Sequence, residues 1–434
     1  MDLTKAFDTV SRDGLWRIMA KYGCPDKFIT IVRQLHEGML ARVQENGETS
    51  EPFQVTNGVK QGCVLAPTLF SLMFSAMLTH AFKDQDLGIN IRYRYDRSLF
   101  DLQKLQAKTL VAHATINDLL FADDCALNAG SETEMQAIVD LFSAACDKFG
   151  LTVNTKKTEV MFQPAPDTPY VEPCITINEQ KLNAVENFTY LGSTLSRNTT
   201  IDNEVDTRLA KASAAFGRLN KNVWNRKGIK TETKLKVYKA IVLTTLLYGC
   251  ETWTVYQRHA RKLNHFHTTC LRRILGVKWQ DKIPDTEILQ KATQNSIHTI
   301  LMQAQLRWTG HVIRMPDYRL PKKLLYSELQ QGKRSQGRPK LRFKDGVKAT
   351  LKAFNIKDAQ LEGLAANRDT WRATVHKGAA ACEADRITAA EQRRQIRKDK
   401  ANDSASVATI PCPKCNRKFK AKIGLISHLR THKN

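Results

Sequence analysis

The sequence predicts an α+β domain over residues 1–200, a basic helical region after it, and a separate ββα unit in the last 25 residues. Three observations carry this. Strand-like and helix-like patterns alternate through an acidic, apolar first part. From 202 to 275 the pattern becomes mostly helical and increasingly basic. Near the end stands Cys412-x2-Cys415-x12-His428-x3-His432. With 434 residues and 42% hydrophobic content, the chain can fill two or three cored domains at roughly 150 residues each.

The elements follow in order. Helices are expected around 12–22 and 25–38, then two short strands about the hairpin signal Asn46-Gly47-Glu48. Between Lys60 and Lys83 lie 22 residues without a formal charge, long enough to span a membrane. Gln61, Pro67, Ser71, Thr79 and His80 dilute that stretch, and Pro67 suits a first helical turn, so a buried core helix over 67–80 is expected. Residues 110–128 read as two apolar runs broken by Ala122-Asp123-Asp124. A helix over 131–149 should stop at Gly150. Strands are expected at 151–154, 158–163 and 174–176. A helical pair is expected over 286–315 and a charged helix around 384–400.

Charge narrows the function. The chain carries 67 Lys+Arg against 43 Asp+Glu, a net +24 that argues for a polyanionic partner. Residues 1–200 hold 19 basic and 24 acidic residues, a net of −5, so the remainder carries +29. The ten cysteines are scattered, apart from Cys412 and Cys415, which points to a reducing compartment rather than a secreted disulfide scaffold. Met1-Asp2-Leu3-Thr4-Lys5 has no apolar signal segment. The expected location is nucleus or cytoplasm, neither secreted nor in a membrane.

The adjacent Asp123 and Asp124 stand inside apolar sequence, where two ionised carboxylates repel unless a cation joins them. A divalent metal pair is one such compensator, and a solvated acidic turn is the plainer reading. Their company favours the first. Asp2-x-x-x-Ala6-Phe7-Asp8 lies upstream, Val59-Lys60-Gln61-Gly62-Cys63-Val64-Leu65-Ala66-Pro67 between, and Phe121-Ala122-Asp123-Asp124 after. Gly150-Leu151-Thr152-Val153-Asn154, Lys156-Lys157-Thr158 and Phe188-Thr189-Tyr190-Leu191-Gly192 follow. In this order the motifs resemble reverse transcriptases of non-LTR (LINE-type) retrotransposons. The later Tyr248-Gly249-Cys250-Glu251-Thr252-Trp253, Arg272-Arg273-Ile274-Leu275 and Arg307-Trp308-Thr309-Gly310-His311 are similar to the RTE-like group.

The resemblance implies an RNA-directed DNA polymerase with an incomplete right-hand palm over 1–200, a helical thumb over 201–280 and a basic connector over 281–400. It implies that Asp2, Asp123 and Asp124 ligate two Mg²⁺ ions. Phe7 would bar a 2′-hydroxyl on the incoming dNTP, although an apolar residue at such spacing can equally be core. Gln61 and Gly62 would lie near template and nucleotide. Lys157, or its neighbour Lys156, would stand by the leaving pyrophosphate as a general acid. Tyr190, Leu191 and Gly192 would hold the primer end, with the element's RNA as template and nicked target DNA as primer. The chain starts one residue before Asp2, without the strand, fingers and endonuclease such enzymes carry. It is therefore expected to be a truncated enzyme, weak or inactive in isolation, since a ligand displaced by about 1 Å can cost on the order of 10²-fold in rate. The alternative is a non-catalytic nucleic-acid-binding relic.

The Cys412, Cys415, His428, His432 spacing suits structural Zn²⁺, with Phe419 and Leu425 as the small core of a C2H2 finger over 410–434 behind a 401–409 linker. Its base-reading positions are Ala421, Gly424 and Ser427, and the first two have no hydrogen-bonding groups to read base edges. Lys414, Arg417, Lys418, Lys420, Lys422, Arg430 and Lys433 suit phosphates; a protein contact is the alternative. Trp253, Trp279 and Trp308 stand among basic residues, which suits stacking on single-stranded RNA or, as readily, a helical core. Gly337-Arg338-Pro339-Lys340 is a short match to a minor-groove hook.

Overall fold

A computed structural model of the chain describes all residues except 61, 84, 97, 108, 166–167, 333–336, 338, 404–409, 420 and 433–434. Gln61, Arg338, Lys420, Lys433 and most of the 401–409 linker thus lie outside the described residues. The chain divides into two compact units. The first comprises 1–211, 252–255 and 309–348; the second comprises 212–251, 256–308 and 349–434.

The first unit opens with α1 (Arg12–Lys21) and α2 (Asp26–Gln34). The hairpin about Asn46-Gly47 follows in two tiers: β1 (Leu40–Ala41) pairs with β4 (Phe53–Gln54), and β2 (Gln44–Glu45) with β3 (Glu48–Thr49). α3 (Ala66–Ala81) has Pro67 in its first turn. Leu69, Phe70, Met73, Phe74, Met77 and Leu78 bury against α1 and the later α4 (Glu132–Phe149). The uncharged stretch is therefore core, and among the described residues no helix is long and apolar enough to cross a membrane. Gly150 ends α4 in the left-handed conformation, φ 73°.

β5 (Ile89–Tyr93) pairs with β6 (Ala112–Ile116), and β7 (Asp118–Phe121) with β8 (Asp124–Leu127). Short strands β9 (Glu159–Val160), β10 (Thr176–Ile177), β11 (Gln180–Lys181) and β12 (Asn183–Ala184) come next. They lead to the hairpin of β13 (Asn187–Tyr190) and β14 (Ser193–Ser196), and to α5 (Asp202–Arg218).

Downstream helices are α6 (Thr231–Val237), α7 (Thr244–Leu246), α8 (Gln257–Leu275), α9 (Asp285–Lys291), α10 (Ile297–Ile313) and α11 (Leu320–Tyr326). β15 (Ser327–Leu329) then pairs antiparallel with β5, completing a β15-β5-β6 sheet in the first unit. Neither β5 nor β15 is expected from the sequence. A strand of three residues has no periodicity to read, and its partner lies far away in the chain. α12 (Phe343–Ala353), α13 (Leu361–Ala366) and α14 (Arg368–Asp403) follow. α14 begins well before the predicted charged helix because the Asn367 side chain accepts the Asp369 and Thr370 amides, 3.0 Å each, a helix N-cap. The chain closes with a hairpin of β16 (Ile410–Pro411) and β17 (Lys418–Phe419), then α15 (Lys422–Leu429).

Buried polar groups organise the second unit. The Tyr238 hydroxyl lies 2.7 Å from His267 Nδ1, and burial lowers His267 to about 4, so its ring is neutral near pH 7. The Glu383 carboxylate accepts from the Ser296 hydroxyl at 2.7 Å, the Thr299 hydroxyl at 2.5 Å and Arg386 at 2.8 Å. Burial opposes its charge, but these donors outweigh burial and hold the carboxyl below the usual glutamate range. Its contribution is therefore present above about pH 4.3, the unfolded value, and fades as pH falls through the lower folded one. Glu383→Ala should cost about 2–3 kcal/mol at pH 7 in denaturant unfolding of the helical unit. The deficit against wild type should shrink as the pH is taken below 4.

Candidate active site and candidate metal centre

β7 and β8 join through the two-residue loop Ala122-Asp123, with Phe121 opposite Asp124. Ala122 adopts φ 53°, a left-handed conformation that costs a non-glycine residue about 1 kcal/mol or more. The strained tip presents two carboxylates, Asp123 half-buried and Asp124 exposed. In β7 itself, burial raises the Asp118 carboxyl above its usual range.

Asp2 is tied down by backbone pairing. Leu3 bridges Val153 in antiparallel register, Thr4 N–H donates to the Thr152 carbonyl at 2.8 Å, and Asn154 N–H to the Asp2 carbonyl at 2.8 Å. The Asp2 amide donates to the buried Thr158 hydroxyl at 3.2 Å. From the other side the Met1 nitrogen donates to the Cys125 carbonyl in β8 at 2.7 Å. Burial lowers the Met1 ammonium pKa, while Cys125, Asp2, Asp124 and Glu159 each act to raise it. Burial pushes the Cys125 thiol up to about 12, so it behaves as a small hydrophobe; Cys63 is half-buried with its sulfur accepting the Ala66 amide.

The floor beside them is aromatic. The Phe7 ring stacks on Phe70, centroids 4.5 Å apart, Phe70 stacks on Phe74 at 5.4 Å, and Phe74 meets Phe142 edge-on at 6.3 Å. Phe7 is the half-buried end of this column. Beside it, Val59 N–H donates to the Phe7 carbonyl at 2.9 Å and Gly58 N–H to Val10 at 2.8 Å. A Cβ on Gly58 would stand 2.6 Å from the Asp8 carbonyl oxygen, so only glycine allows this approach. Arg12 fixes the same segment: its guanidinium donates to the carbonyls of Gly58 at 2.9 Å, Val55 at 2.9 Å and His36 at 2.7 Å. Gly62, at φ 90°, begins the turn into α3.

A second hairpin reaches the first. The Tyr190 hydroxyl donates to the Leu119 carbonyl of β7 at 3.0 Å, and burial raises its pKa, with Cys125, Asp124 and Asp118 adding to the rise. The turn after it, Leu191-Gly192, has φ 48° and 78°. A buried ion pair braces it: Arg208 Nε meets Glu204 Oε1 at 2.7 Å, Arg208 also donates to the Gly192 carbonyl, and Glu204 accepts the Thr194 amide at 2.7 Å. Lys157 is exposed on the turn whose amides bond to Asn154, next to Thr158; Lys156 lines a polar cleft with Thr155, Glu172, Gln180 and Lys181.

The sequence reading did not single out Arg12, Thr158, Glu204 or Arg208. Glu204 and Arg208 do carry a signal, the i,i+4 spacing of a helical ion pair. Arg12 and Thr158 bond to backbone and leave no local pattern.

At the C-terminus, Cys412, Cys415, His428 and His432 place their ligand atoms within 4.8 Å of one another. Cys412 Sγ lies 3.7 Å from His432 Nε2, Cys415 Sγ 3.2 Å from His428 Nε2, and the two Nε2 atoms 3.0 Å apart. These are close to the edges of about 3.3–3.8 Å expected of a tetrahedron with Zn–S near 2.3 Å and Zn–N near 2.0 Å. Phe419 and Leu425 are half-buried under the helix, and the Phe419 ring lies 4.7 Å from His428. Among the described residues this is the one His, Cys, Asp or Glu group drawn to metal-binding spacing; Asp2, Asp123 and Asp124 do not form such a group.

Residues 1–195 match the family described as reverse transcriptase (RNA-dependent DNA polymerase). A putative uncharacterized transposon-derived protein of Caenorhabditis elegans is 26% identical over 274 residues, 60% of this chain and 96% of that protein. The RNA-directed DNA polymerase from mobile element jockey of Drosophila melanogaster is 24% identical over 298 residues, 66% of this chain and 29% of the relative. The Pol polyprotein of the type-2 retrotransposable element R2DM of the same species is 30% identical over 157 residues, 36% of this chain and 13% of that protein. The chain thus spans less than a third of the length of these two polymerase relatives.

The Glu204–Arg208 brace yields a stability test. Arg208→Leu leaves a buried carboxylate without its cation and should destabilise the first unit by about 3–5 kcal/mol in denaturant unfolding. Adding Glu204→Leu to that variant should recover part of the loss.

Proposed function

We propose that residues 1–195, which match the reverse transcriptase family, are a reverse transcriptase domain of the non-LTR retrotransposon kind, and that the chain extends a DNA primer on an RNA template, the 3′-hydroxyl attacking the α-phosphate of a dNTP. The observation that carries this reading is the backbone pairing that brings Asp2 to the strained Asp123-Asp124 hairpin. Three carboxylates gathered there suit hard divalent cations, and Asp2, Asp123 and Asp124 are the residues to hold two Mg²⁺ ions. Bound there, such a pair neutralises charge on the transferring phosphoryl group and aligns the attacking and leaving oxygens.

The chain's own groups supply the rest. Phe7, propped from below by Phe70, meets the sugar face of the incoming nucleotide and leaves no room for a 2′-hydroxyl. Gly62, at φ 90°, lets backbone come close to the template base. Tyr190, Leu191 and Gly192, braced by Arg208, position the primer terminus beside β7. Lys157 is the better placed of the two lysines to meet the leaving pyrophosphate, since Lys156 turns toward the cleft.

Over 201–434 the reading is of nucleic-acid binding in an RTE-like arrangement of thumb and connector, with a C-terminal zinc finger. Cys412, Cys415, His428 and His432 would bind Zn²⁺ and supply folding free energy to a unit too small to hold itself together. Its exposed Lys414, Arg417, Lys418, Lys422 and Arg430 suit phosphates, and nucleus or cytoplasm is the compartment this function requires. A second reading, binding without catalysis, is favoured by the spacing of the three aspartates and by the +29 charge of 201–434.

Primer extension on an RNA template with Mg²⁺ separates the two. Incorporation should fall at least 10²-fold in Asp123→Asn, and Phe7→Ala should raise use of ribonucleotides relative to dNTPs. Salt-sensitive binding with no incorporation would instead establish the second reading. Removal of zinc by a chelator, or Cys412→Ser, should release one equivalent of metal and unfold 410–432, leaving the melting of the first unit unchanged.

A further inference from the structure

The chain has six tryptophans. Trp16, Trp224, Trp253 and Trp371 are buried, and Trp308 is half-buried. Trp279 is 82% exposed. Single exposed apolar residues are ordinary, yet an indole is the side chain with most to gain from burial.

The backbone beneath Trp279 is not loose. Residues Trp279–Asp281 form one tight helical turn after α8, and the Asp281 carboxylate accepts the Lys278 amide at 2.8 Å. Asp281 N–H and Lys282 N–H donate to the carbonyls of Lys278 and Trp279, both at 3.2 Å. Arg272, in the last turn of α8, pins both flanks. Its carbonyl accepts the Val277 amide at 2.9 Å, and its guanidinium donates to the Ile283 carbonyl and to Asp285 at 2.7 Å. The turn thus presents the ring to solvent with little conformational freedom left to lose.

Its surroundings are cationic. Lys278 and Lys282 flank the ring in sequence and are exposed, as is Arg273. The nearby carboxylates are engaged, Asp281 with the turn and Asp285 with Arg272. An exposed ring between lysines matches a base with a phosphate on either side. An apolar protein partner would have to desolvate the lysines, and duplex DNA keeps its base faces stacked.

We propose that Trp279 stacks on one unpaired base of a single-stranded nucleic acid while Lys278 and Lys282 take the flanking phosphates. The site names the strand form that the helical unit grips, and it rests on the nucleic-acid part of the function above but not on catalysis.

The test uses the full zinc-loaded chain and a fluorescein-labelled oligo(U) of about 20 nucleotides, with duplex DNA as the second probe. Trp279→Ala should weaken oligo(U) binding about tenfold, with duplex binding and the salt slope unchanged; Trp279→Phe should recover most of the loss. Replacing Lys278 and Lys282 by Gln should flatten the salt slope by about 1.4, the value for two phosphates on a single strand. Wild-type oligo(U) affinity in Trp279→Ala overturns the proposal, as does a change of oligomeric state in its place. If the unaltered chain binds neither probe, the nucleic-acid reading fails as a whole, which is a different result from either.

Discussion

Like-charge repulsion sets the terms for the first unit. Asp123 and Asp124 are adjacent in the chain, and two ionised carboxylates side by side repel each other. The backbone keeps them near one another. Leu3 is paired to Val153 and the Met1 nitrogen to Cys125 in β8, while Asp123 lies in the two-residue loop and Asp124 opens β8. These are main-chain restraints, the Met1 contact being made by the N-terminal ammonium.

The same logic explains the support around the hairpins. The Phe7–Phe70–Phe74–Phe142 column fixes the floor through dispersion and burial alone, so it adds no charge to an already acidic corner. Arg12 spends its guanidinium on neutral carbonyls, and through them locks the segment before Lys60. Where a carboxylate is used structurally, at Glu204, it is matched by Arg208 inside the same helix. The adjacent Asp123 and Asp124 account for part of the −5 of residues 1–200.

Much of this was legible in the sequence. Periodicity and caps placed α1, α3 and α4, Gly150 marked the end of α4, and Asn46-Gly47 marked the hairpin. The ordered motifs pointed to the reverse transcriptase family that residues 1–195 match, and the Cys/His spacing pointed to the cluster that the structure gathers. What escaped depends on partners far away in the chain. β15 finds β5 across more than 230 residues, and three residues carry no pattern that announces it. Arg12 and Thr158 matter through bonds to backbone, which any polar residue of the right reach could make. The start of α14 was missed for a smaller reason: Asn367 is a local cap signal, passed over beside the louder charge run that follows.

Left-handed backbone at non-glycine residues occurs at several turns of the chain, Ala122 and Leu191 among them. Ala122 and Leu191 take left-handed backbone that glycine would take at no cost, and they sit at the tips of the hairpin bearing Asp123 and the hairpin bearing Tyr190. Strain of this kind persists only where surrounding structure over-determines it. Here the Tyr190 hydroxyl on Leu119 and the Arg208 brace at Gly192 provide that determination, linking the two tips. A glycine at either tip would relax the turn and widen its range of motion, and a reacting hydroxyl and phosphate must be aligned to a fraction of an ångström. At these two turns, as at the other left-handed turns of the chain, the local cost is met by the hydrogen bonds around them.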